Sequence, residues 1–181
     1  MRKIFLTALA ICMMSIASVA GAQANYNFVA VSDLCPQGFV DAMGNGSIYQ
    51  NLRQQGTTVA FTAPSHHPEL NDPQNFAGLE VHRSLFGIQG NESPNGEIHF
   101  YVAPDNSVFV LRIVNTGDPQ LAGAVLCMAM EALGVNQQEM QILLSTQSVT
   151  AETWCQNAGR KIIRVVADQT GNNVLFFGAS N

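Results

Sequence analysis

Ile98-His99-Phe100-Tyr101-Val102-Ala103-Pro104-Asp105-Asn106-Ser107-Val108-Phe109-Val110-Leu111-Arg112-Ile113-Val114 decides the fold. Two β-rich runs flank Pro104-Asp105-Asn106, three residues that favour a turn. With Asp105-Asn106 as the turn, Ile98 faces Ile113, Phe100 faces Leu111 and Val102 faces Phe109. All six side chains then share one face, because successive residues of a strand point to opposite sides. His99, Tyr101, Val110 and Arg112 fall on the other face, which this reading leaves solvated.

Downstream, Asp118-Pro119 opens a helix with a capping carboxylate and a proline at the first helical position. Residues 121–133 are almost all apolar, with Glu131 the only charge, and Gly134 stops them. Such a helix must be buried on several sides. The pattern predicts a second helix over 136–144, capped by Asn136, and a third over 150–158, stopped by Gly159. A second hairpin follows from 161–167 and 174–177. The order β-β-α-α-α-β-β implies an α+β fold. Its antiparallel sheet is built from two hairpins and covered on one face by a block of about three helices.

Upstream, 25–31 and 57–62 read as strands, 48–55 as a helix ended by Gly56, and 79–88 as a strand. Pro64, Pro68 and Pro73 mark a loop that carries Ser65, His66 and His67. Residues 1–24 read as a secretory signal peptide: Arg2 and Lys3, an apolar run, then Ala22-Gln23-Ala24. Cys12 follows Ile11 rather than a small residue, so it does not suit lipid attachment. The expectation is one α+β domain over 25–181, delivered to the bacterial periplasm or the exterior.

Removing 1–24 takes away two bases and no acid, which moves the formal charge from −5 to −7. So acidic a chain is a poor ligand for nucleic-acid phosphate or an anionic membrane. After the signal, no run reaches the ~18 apolar residues of a spanning helix. Fifteen Asn and thirteen Gln after residue 24 outnumber the charged residues there, so amides dominate the polar surface.

Cys35, Cys127 and Cys155 remain after the signal. In an oxidising compartment, a Cys127–Cys155 disulfide joining two of the expected helices is the favoured pairing. No Cys-x-x-Cys occurs, which removes the usual structural-zinc and thioredoxin-like spacings.

His66, His67, His82 and His99 are all the histidines, and they lie within 34 residues of each other. Glu80 and His82 would share a strand face. If that strand neighboured 98–103, His99 could complete a His-His-carboxylate metal set. The plainer reading places His66 and His67 in solvent, and His82 and His99 on the exposed sheet face beside Arg83 or Arg112. Ser65 next to His66 suggests a hydrolytic pair, but adjacent residues of an extended segment point apart. Cys35 is a further nucleophile candidate, discouraged by the nearby Asp33. No elbow, zincin, phosphate-loop or dinucleotide motif is present, and no cofactor is called for.

Three functions follow from this. The leading one is an exported, non-catalytic binding module, in one version an inhibitor or immunity-type protein, whose acidic surface favours a basic protein partner. The second is a metal-assisted periplasmic hydrolase using Glu80, His82 and His99. The third is a structural subunit of an envelope assembly that adds strands at its sheet edges.

Overall fold

The structure is a computed structural model. It describes residues 27–140, 150–155, 159–167 and 173–180, with side chains at 29–140, 163 and 173–178. In chain order the elements are β1 (Asn27–Val29), α1 (Pro36–Asn45), α2 (Ser47–Gln54), β2 (Val59–Phe61), β3 (Ser65–His66) and a 3-10 turn at Pro68–Leu70. Then come β4 (Glu80–Ile88), β5 (Gly96–Val102), β6 (Val108–Asn115), α3 (Pro119–Ala132), β7 (Thr150–Cys155), β8 (Gly159–Ala167) and β9 (Asn173–Ser180). The strands form one nine-stranded sheet in the order β2-β4-β5-β6-β9-β8-β7. β3 adds to β4 and β1 to β9, and every pairing is antiparallel. The fold is α+β, as the two hairpins imply.

The central hairpin keeps the expected register at Ile98↔Ile113 and Phe100↔Leu111. Near its tip the register differs. Ala103 N–H donates to the Ser107 carbonyl (3.0 Å), so the loop holds three residues, Pro104 to Asn106. Asn106 sits at φ 65°, the left-handed position that ends such a loop. Val102 therefore pairs with Val108, and a bulge at Phe109 restores the Tyr101↔Val110 pairing. Val108 takes the core position expected for Phe109, whose ring packs on the opposite face.

That opposite face is not solvated. Val81, Tyr101 and Val110 form a second apolar cluster with Leu70, Phe76, Leu79, Phe109, Leu175 and Phe177. Residues 67–79 fold across the sheet to cover it. His67 N–H donates to the Val81 carbonyl (2.8 Å), and the Asn71 side chain accepts from Val81 N–H (2.9 Å). The Phe76 ring lies 4.6 Å from that of Tyr101, which is only 2% exposed.

The main core lies on the other face, under α1 and α3. Phe39 of α1 meets Phe100 edge to face at 5.7 Å. Leu121, Val125, Leu126, Met128, Ala129 and Met130 of α3 are buried with it. Asp118 caps α3 by accepting from Gln120 N–H (2.8 Å), as expected. At its other end Gly134, at φ 81°, stops the helix, and Val135 N–H returns to the Met130 carbonyl (3.0 Å).

The helical cover matches the expected segments in part: α2 and α3 lie where the sequence places helices, and α1 is added. α1 and α2 precede the sheet's main strands, and of the third helix expected over 150–158, Thr150–Cys155 is instead strand β7, paired with β8, while 156–158 lie outside the described residues. Thr150, Thr153 and Trp154 suit a strand better than a helix. The helix expected from 136 begins as predicted. Asn136 accepts from Glu139 N–H (2.9 Å), and Glu139 reaches back to Asn136 N–H (3.2 Å). Beyond residue 140 that expectation lies outside the described residues. Among the described residues, no helix is long and apolar enough to cross a membrane.

Candidate functional site

The histidines gather at the β3–β4 edge and just across it. Pro64 and Pro68 bracket Ser65-His66-His67, holding them extended so that β3 pairs with β4 as Ser65↔Arg83 and His66↔His82. Alternation then divides the side chains. His66 stands beside His82, ring centroids 5.5 Å apart, with Glu80 Oε2 at 3.8 Å from His66 Nε2. Ser65 and His67 turn to the other side.

There a hydrogen-bonded chain of three side chains forms. Ser65 Oγ lies 3.1 Å from His67 Nε2, and His67 Nδ1 lies 2.6 Å from Glu69 Oε1. The bond from His67 N–H to Val81 fixes its backbone. The 3-10 turn begun by Pro68 closes with Leu70 N–H on the His67 carbonyl (3.0 Å), which brings Glu69 back under the imidazole. The bond to His67 is the main reason Glu69 stays below the usual carboxylate range. An ionised carboxylate there accepts an Nδ1 proton and leaves Nε2 as an acceptor toward the serine.

The proposed metal set of Glu80, His82 and His99 does not assemble. His82 pairs with Phe100 across β4–β5, whereas His99 pairs with Arg83. Neighbouring residues of one strand face opposite ways, so His99 lies on the far face of the sheet from Glu80 and His82. Among the described residues, no group of three His, Cys, Asp or Glu is placed to hold a metal ion.

His99 has a separate setting. It is 5% exposed, and its Nε2 lies 2.7 Å from Glu97 Oε2. Arg83 Nη1 is 3.6 Å from the other oxygen of Glu97, and Arg112 is held by Asn173 Oδ1 at 2.7 and 3.2 Å. Burial pushes the His99 pKa down, outweighing the upward pull of Glu97. Burial also lowers His82, with His66 adding to the effect.

The cysteines do not make the expected bond. Cys127 is a half-buried free thiol on α3. The premise of two facing helices fails because Cys155 ends strand β7; its side chain lies outside the described residues. Burial pushes the Cys127 thiol up to about 11. Cys35 is exposed and caps α1, its sulfur accepting from Gly38 N–H at 3.5 Å.

Ser65 and His66 point apart, as alternation requires, and the imidazole that meets Ser65 is that of His67. The relevant signal was the two-residue spacing of Ser65, His67 and Glu69. Compared with protein families, with characterised proteins and with solved structures, the chain shows no match.

Proposed function

We propose that the protein is an exported binding module that recognises a basic protein partner, in its most specific form as an inhibitor of a secreted or envelope enzyme. Charge carries this reading. Residues 25–158 contain Arg53, Arg83 and Arg112, no lysine, and twelve acids. Two of those three arginines are engaged internally, Arg83 with Glu97 and Arg112 with Asn173. The exposed acids Asp33, Asp41, Glu69, Glu80, Glu92 and Asp105 are spread over loops, a helix and a sheet edge. Leu34 is the one large apolar side chain exposed among the described residues, so a docking surface here is polar and steered by charge.

The test is capture on the immobilised protein from the extracellular and envelope fractions of the source cells, with elution by a salt gradient. The proposal expects captured proteins of net positive charge, released as ionic strength rises. Capture that is indifferent to salt, or of acidic proteins only, contradicts it.

A further inference from the structure

We infer that Ser65, His67 and Glu69 form a nucleophilic triad able to take an acyl group from a carboxylic ester. The inference rests on geometry and is independent of the binding reading. Both hydrogen bonds of the chain fall in the range that joins nucleophile, base and orienting carboxylate: 3.1 Å for Ser65 Oγ to His67 Nε2, and 2.6 Å for His67 Nδ1 to Glu69 Oε1. The order of atoms is the productive one, with Nε2 toward the hydroxyl and Nδ1 toward the carboxylate. The residues alternate along five positions, so the chain is set by backbone form. An extended Ser65-His66-His67 places serine and histidine on one side, and the 3-10 turn returns Glu69 to the imidazole.

Ser65 is exposed, so a substrate can reach it, while the His67 side chain is 21% exposed and held from both ends. In the step, Ser65 Oγ attacks the ester carbonyl carbon and its proton passes to His67 Nε2. The carbonyl carbon–alkoxy bond then breaks, and His67 returns the proton to the departing alcohol. Water adds to the acyl-serine by the same path, its proton passing through His67 to Ser65 Oγ, and the carboxylic acid leaves. Glu69 is a positioning residue, since it acts through the imidazole, bonding its Nδ1 on the side away from Ser65. On the side of the edge that carries Ser65 stand both Glu69 and Arg83, the residue opposite Ser65 in the β3–β4 register, so the site sets no preference for the charge of the ester.

The experiment uses the purified protein with an alkyl fluorophosphonate probe, then intact mass and peptide mapping, alongside hydrolysis of p-nitrophenyl acetate. The inference expects one adduct on the Ser65 peptide. It expects none there in Ser65→Ala, and labelling about a hundredfold slower in His67→Gln. Glu69→Gln should move the pH profile of labelling as well as lower its rate, which a purely structural residue would not do. Circular dichroism matching that of the parent shows each variant folded, as expected for substitutions at a sheet edge. Absence of a Ser65 adduct in the parent protein, or equal labelling rates in the parent and His67→Gln, overturns it.

Discussion

Glu131 of α3 caps helix α2 at Ser47, a residue 84 positions earlier in the chain. Its Oε1 accepts from Ser47 N–H at 2.9 Å and from the Ser47 hydroxyl, and its Oε2 accepts from Ile48 N–H at 3.2 Å. Gly46, at the cap position of α2, has no side chain to do this. A Cβ at Gly46 would collide with the same carboxylate. The single charge in the most apolar helix is thus a remote cap that ties α2 to α3.

Glu131→Gln should cost about 1 kcal/mol, because a charged acceptor at a helix N-terminus is replaced by a neutral one. Burial of Glu131 raises its pKa, but the bonds from Ser47 and Ile48 outweigh this and hold it below the ordinary value. Its folded-state pKa is depressed, so its contribution is present above the unfolded pKa and is lost as pH falls through the folded one. Chemical denaturation at neutral and acid pH should show the variant's deficit shrinking in acid.

Phe100→Asp and Tyr101→Asp should both cripple folding. Phe100 lies in the main core and Tyr101 in the second cluster, each buried among apolar side chains. Each should lose several kcal/mol. Thr116→Asp, in an exposed loop, should change the melting temperature little.

Gly96→Ala should cost about 3 kcal/mol. Gly96 pairs with Phe86, and a Cβ there would meet the Phe86 ring and the Val114 carbonyl oxygen. One of these must move, and both are packed. Urea titration measures the loss.

His99 should make the fold acid-sensitive. Its folded pKa lies below the ordinary 6.5, so the unfolded chain binds the extra proton first. Stability is full above that value and declines as pH falls toward the folded pKa. His82 shifts the same way, and a His99→Gln variant should keep only the part due to His82. Melting temperatures between pH 7.5 and pH 5 should fall less in the variant than in the parent.

Cys35 should react with a maleimide in the native protein, and Cys127 only after unfolding. Cys35 is exposed, whereas a thiol pushed up to about 11 is almost wholly protonated at pH 7. Peptide mapping after native labelling distinguishes the two. A Cys127 peptide labelled as fast as that of Cys35 would contradict the packing of α3.

Much of this was legible in the residues. Alternation in 98–114 exposed the hairpin, and Asp118-Pro119 with Gly134 marked both ends of α3. What was misread depended on neighbours. The three-residue loop at Pro104–Asn106 and its bulge move Phe109 across the sheet, and an idealised two-residue turn hides that shift. Tyr101 looked solvated because nothing local reveals that Phe76 folds over it. Glu80, His82 and His99 matched in type, but the pairing His82↔Phe100 puts His99 on the other face, and pairing parity between strands is a tertiary property. β7 carries Ala and Glu, which favour helices, and its strand state comes from pairing with β8. The Ser65–His67 half of the triad was readable from alternation alone. Glu69 joins it only through the turn after Pro68.

The most direct test of the proposed function is the association rate of the protein with its captured partner as salt is varied. Electrostatic steering predicts at least a tenfold fall in rate from low to high ionic strength. It also predicts a slower rate at low salt for the double variant Glu92→Lys, Asp105→Lys, whose sites are exposed loop positions. A rate that does not change with salt, or a double variant that associates as fast as the parent, would contradict recognition of a basic partner.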